Sequence, residues 1–219
     1  MKRTFFLIGV LVLAGLAALP ASAGVVYNND FGGVTSTDNF NTDAWTINFG
    51  FSVTNSFVLA SNTNLTGANF AIWTSGSTLS SVNWYITTAE FGGTTLASGT
   101  ASPTGSTIAT NSFGYTILNE AFNIHSLALN GATTYWFQLD TANSVPSGNP
   151  IYWDQSDGPS TAYESSLGPL LNNSPCLGLC TGSESFELLS SGTPEPGTVT
   201  LLGGGLLAMA AFLRRKKKA

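Results

Sequence analysis

The chain has 219 residues, is 43% hydrophobic and only 9% charged, and sets 12 acidic against 7 basic side chains for a formal net charge of −5. All seven Lys and Arg residues lie at positions 2, 3 and 214–218, so the stretch between them holds all twelve acids and no Lys or Arg. With no basic patch to meet phosphate, nucleic-acid binding is excluded, and the field of that stretch attracts cations rather than anionic polymers.

At the N-terminus, Lys2 and Arg3 precede an apolar run from Phe5 to Leu19. Pro20 breaks the run, and Ala21-Ser22-Ala23 supplies a small-x-small cleavage site. That order spells a secretory signal peptide over 1–23, with Gly24 as the first mature residue and the secretion machinery as a partner.

The body, 24–192, is long enough for one domain with a real core. Helical periodicity is absent and strand alternation is common. Val82, Trp84 and Ile86 alternate with Asn83, Tyr85 and Thr87, and Tyr135, Phe137 and Leu139 with Trp136, Gln138 and Asp140. Turn clusters such as Ser75-Gly76-Ser77, Asn130-Gly131 and Pro146-Ser147-Gly148-Asn149-Pro150 separate such runs. Strands are expected near 25–28, 46–53, 56–60, 66–73, 80–87, 94–100, 113–117, 122–128, 133–140, 150–154 and 184–189. Short strands with turns at this spacing predict an all-β chain with a single β-sandwich or jelly-roll-like domain.

Few residues in the body carry chemistry by pattern. His125 is the only histidine, and no G-x-S-x-G elbow accompanies it, so the body reads as non-enzymatic. Cys176 and Cys180 are expected to form a short local disulfide, as an exported chain meets an oxidising compartment. Asp154 and Asp157 flank Gln155-Ser156 before Gly158, which reads first as a plain acidic turn and second as a candidate calcium loop. No other cofactor is expected. Adjacent strand residues face opposite ways, so one member each of Tyr135-Trp136 and Tyr152-Trp153 should face outward. Trp136 and Trp153 are therefore candidates for a sugar-stacking platform.

The C-terminus, 193–219, has three parts in order. Pro194-Glu195-Pro196 forms a stiff extended stretch. An uncharged run covers 198–213, and Arg214, Arg215, Lys216, Lys217 and Lys218 close it as a cytoplasmic flank. The run has 16 residues, short of the ~20 of a usual span, but basic side chains extend it by snorkelling. This ordered set resembles the PEP-CTERM sorting signal of Gram-negative bacteria. The resemblance implies export across the inner membrane, anchoring by the C-terminal helix, processing by an exosortase near the motif, and a final place at the cell surface or outside the cell. Segments of the body, among them 83–101, 127–142 and 151–160, more loosely resemble β-sandwich domains found upstream of bacterial surface-anchoring tails. The expected function is structural or adhesive, within a biofilm or exopolysaccharide matrix. The alternative is a displayed carbohydrate-binding module, with or without calcium.

Overall fold

The computed structural model describes residues 23–31, 43–156, 158–166, 182–191 and 205. They form thirteen strands: β1 (Gly24–Asn29), β2 (Ala44–Thr46), β3 (Phe51–Val58), β4 (Thr63–Thr74), β5 (Thr78–Ala89), β6 (Gly92–Ala101), β7 (Thr104–Thr110), β8 (Thr116–Leu129), β9 (Thr134–Val145), β10 (Tyr152–Ser156), β11 (Ala162–Ser166), β12 (Ser183–Glu184) and β13 (Phe186–Ser190). Two antiparallel sheets pack as a sandwich, as the alternation predicts. One sheet runs β11-β3-β9-β5-β6. The other runs β7-β8-β4, after which the far edge of β4 is shared. Leu65 to Phe70 pair with β13, which carries β1. Ile72 and Trp73 pair with β10, which also carries β2 and β12.

The core lies between the sheets, and the period of two in each strand chooses its members. From β5, Val82, Trp84 and Ile86 are buried; from β9, Tyr135, Phe137 and Leu139. Opposite them lie Phe70, Ile72, Phe122, Trp153 and Phe186. Trp153 is the centre of this cluster, with ring centroids 5.4 Å from Phe137, 5.9 Å from Phe186 and 6.4 Å from Phe70.

Some expected boundaries move. The spans 46–53 and 56–60 become β2 and β3, because the chain turns at Asn48-Phe49-Gly50, where Phe49 and Gly50 have φ of 56° and 90°. The spans 113–117 and 122–128 fuse into β8, whose Asn119-Glu120 looks like a break but continues the ladder to β4. Neither β7 nor β11 was expected: both are short edge strands built largely of Thr, Ser and Gly or carrying a charge, so they lack the apolar alternation that marks a half-buried strand.

The leader to residue 22, Cys176, Cys180, Asp157, Pro194, Glu195, Pro196, Arg214, Arg215, Lys216, Lys217 and Lys218 lie outside the described residues, as does all of 198–213 except 205. Among the described residues no helix is long and apolar enough to cross a membrane.

Candidate functional site

One end of the sandwich carries a cavity of about 290 Å³, built by two chain irregularities. The first is the corner between β2 and β3, which presents Asn48, Phe49 and Gly50. The second is a bulge in β9. Asn83 of β5 pairs with Asp140 and Ser81 with Asn143, so β9 has one residue more than β5 in this interval. Thr141 takes up the excess at φ 50°, and the N–H of Ala142 leaves β5 and donates to the Ile47 carbonyl at 2.9 Å. Bulges of this kind re-aim side chains and favour the neighbourhood of binding sites.

Hydrogen bonds brace the walls of the cavity. Asn48 is buried; its Nδ2 donates to the Asn149 carbonyl at 3.0 Å and its Oδ1 accepts from the Ile151 N–H at 3.4 Å. Asn143 Nδ2 donates to Ser81 Oγ at 2.9 Å, and Ser144 Oγ accepts from the Asn149 N–H at 3.2 Å. Thr141 Oγ1 donates to Asp140 Oδ1 at 2.9 Å, while Ser52 and Gln138 donate to Asp140 Oδ2. Phe49 stands on this braced rim at 61% exposure. Among the described residues no ionisable side chain lines the cavity.

A second cluster lies where β10 and β12 meet. Asn29 Nδ2 donates to Ser183 Oγ at 2.5 Å and to the Glu184 carbonyl at 2.6 Å, and Ser160 Oγ donates to Asn29 Oδ1 at 2.8 Å. Asn55 of the opposite sheet accepts the Glu184 N–H at 2.8 Å and donates to Ser160 Oγ at 2.6 Å, so this network ties the two sheets together. Two fully buried acids sit in it. Gln155 pairs across the ladder with Glu184, so both point into the core with Trp153. Asp154 points to the opposite face, where its Oδ1 accepts from Trp73 Nε1 at 2.5 Å. Glu184 Oε1 accepts from Gln155 Nε2 at 3.4 Å. The second oxygen of each, Asp154 Oδ2 and Glu184 Oε2, has no hydrogen-bond partner among the described residues.

Those surroundings favour the neutral acids. Burial holds the Glu184 carboxyl well above the ordinary carboxylate range; nearby Asp154, Glu164 and Asp43 push it the same way, against the Gln155 bond. Burial also raises Asp154, opposed by Trp73 and Ser185 and assisted by Asp30. Burial raises Glu164, and lifts Glu120 to about 7.

The residues expected from sequence to form sites end up apart. Trp153 cannot be a sugar platform: it is fully buried among three Phe rings, and its Nε1 donates to the Ser185 carbonyl at 3.1 Å. Tyr152 is the member of that pair which faces outward. Trp136 also faces outward, on the other sheet, with its ring 5.6 Å from Tyr163. Asp154 is fully buried against Trp73, so it is not an exposed loop ligand for calcium. Among the described residues no three His, Cys, Asp or Glu side chains converge on a metal position. His125 is exposed on β8. The sequence reading missed the Phe49 cavity because the alternation over 46–53 continues through Asn48-Phe49-Gly50. The turn-forming Asn48 and Gly50 were the signal that could have marked it.

The body therefore shows an architecture, a cavity and a sheet-tying network, whereas its delivery is written in the tail. Residues 193–216 match the PEP-CTERM protein-sorting motif. The chain carries a PEP-CTERM sorting signal. The match spans the Pro-Glu-Pro stretch, the uncharged run and the first basic residues, and it supports an exported protein processed by an exosortase in association with the membrane. No curated protein matches the chain.

Proposed function

We propose that this protein is a structural or adhesive element of the cell envelope or extracellular matrix of a Gram-negative bacterium. A leader over 1–23 takes it through the secretion machinery. The PEP-CTERM tail then halts it in the inner membrane, with Arg214 to Lys218 on the cytoplasmic side, until the exosortase acts near Pro194-Glu195-Pro196. The released sandwich joins an exopolysaccharide-rich matrix. The observation that carries this reading is the motif match at 193–216. Supporting it, the body has no Lys or Arg and suits an environment where divalent cations and neutral polymers are its neighbours. Fractionation of cells expressing the wild type and Glu195→Ala tests it. The wild type is expected outside the inner membrane and the variant within it; both in the inner membrane would reduce the tail to a permanent anchor.

A second reading has an observation of its own. The uncharged cavity with an exposed aromatic rim favours a carbohydrate-binding body, as a pocket for a sugar needs an apolar face and hydroxyl or amide partners but no charge. On this reading the body is a non-catalytic module. Retention of the protein on insoluble polysaccharide tests it, and free passage through every polysaccharide matrix would remove it.

A further inference from the structure

The backbone at Phe49 is left-handed, with φ 56°, a conformation that suits Gly or Asn and is strained for a bulky L-residue. Phe49 gains little burial in exchange, since 61% of it faces solvent. Folding alone does not explain an aromatic ring at this position. Strain of this kind clusters at ligand sites, where the fold over-determines it. A second strained non-glycine residue, Thr141 at φ 50°, stands on the same cavity. Thr141 is held by Asp140, and Phe49 lies between Asn48, which is bonded at both ends of its amide, and Gly50. Both walls are thus fixed before any ligand arrives, which lowers the ordering cost of binding.

The chemistry of the lining narrows the ligand. Among the described residues no acid lines this cavity, although the body has eleven; the neighbouring Asp140 is buried and accepts three hydrogen bonds. Neither a metal ion nor an anion finds a counter-charge here. What remains is one aromatic face beside the hydroxyl and amide groups of Thr141, Asn143, Ser144 and Ser147. The cavity, about 290 Å³, matches the small end of ligand sites, which run from ~300 Å³ upward. We infer that this cavity binds one unit of a neutral polysaccharide, with the sugar's C–H face on Phe49 and its hydroxyls on the polar wall. The inference rests on the carbohydrate-binding reading of the body and locates its site.

The test uses the full-length chain in non-ionic detergent, run on native gels containing a β-1,4-glucan, a β-1,3-glucan, an α-mannan or a polyuronate. The wild type should be retarded by at least one neutral polymer and not by the polyuronate. Phe49→Asn suits the left-handed backbone and should fold, as circular dichroism will show, while binding at least tenfold more weakly. If the wild type is retarded and Phe49→Asn is retarded equally, the body binds sugar elsewhere: the cavity assignment fails and the carbohydrate reading stands. Loss of binding in Trp136→Ala alone would place the site on the Trp136–Tyr163 ledge. Retardation by none of the neutral polymers overturns both, and retardation by the polyuronate alone overturns the neutral-ligand assignment.

Discussion

Replacing Glu184 by Gln removes a titration from one of the two fully buried acids among the described residues. The folded carboxyl keeps its proton to a higher pH than the unfolded one, because it is buried, has Asp154, Glu164 and Asp43 as neighbours, and finds no hydrogen bond for Oε2 among the described residues. The unfolded chain releases that proton near its ordinary pKa of about 4.3. Above this pH the native state binds more protons than the unfolded state, so stability falls as pH rises towards the raised native value. The contribution is fully present below about 4.3 and is lost on the way up, the reverse of an ion-paired carboxylate. Every unit by which the native pKa is raised corresponds to about 1.4 kcal/mol lost at high pH. The amide keeps the shape and the acceptor for Gln155 Nε2, and leaves a buried N–H group in place of the orphan oxygen. A buried unsatisfied neutral group costs about 1–3 kcal/mol, less than a buried unpaired ion. Glu184→Gln should therefore gain about 1–3 kcal/mol at pH 7.5, or about 3–8 °C in Tm for a domain of this size. Urea midpoints at pH 4.5, 6 and 7.5 measure it. The wild-type midpoint should fall across the series and the variant's should fall less; a residual slope is expected from Asp154, Glu164 and Glu120. Equal slopes, or a variant less stable than wild type at pH 7.5, would mean that Glu184 does not hold its proton in the native state.

Trp153→Ala empties the centre of the core and should cost about 3–5 kcal/mol, a large share of the ~5–15 kcal/mol of a typical domain; urea unfolding will show a lower midpoint. Gly131→Ala should cost about 1–3 kcal/mol by overpacking, since a Cβ there would lie 2.6–2.9 Å from the Ser61 backbone; a thermal midpoint equal to wild type would contradict the close approach. Phe49→Asn, apart from its effect on sugar binding, should raise stability by about 1 kcal/mol by relieving left-handed strain; a fall would mean that Phe49 contributes packing despite its exposure.

The sandwich was legible in the sequence because its core strands alternate, and residues such as Trp84 and Phe137 stand where a period of two puts them. The tail was legible because its parts come in a fixed order. The site was less so. Tyr152-Trp153 showed that one ring must face outward but not which, and only the ladder from Trp73 to Tyr152 decides it. Asp154 resembled a loop ligand because Gln155 and Ser156 beside it are polar, yet Ser156 joins Asn29 and Ser183, from distant segments, in a buried network. No local pattern encodes that meeting. The Phe49 turn was hidden for another reason: apolar residues at 49, 51 and 53 mimic a strand, and the corner that interrupts it is tied, by the Ala142 N–H to the Ile47 carbonyl, to the bulge in β9, more than ninety residues away.

Whether the tail is a processed sorting signal is decided by the intact mass of the protein recovered from outside the inner membrane. Processing leaves a chain that begins at Gly24 and has lost the uncharged run with Arg214 to Lys218, and a Glu195→Ala chain that keeps both. A mature wild-type protein whose mass still includes Arg214 to Lys218 would contradict it.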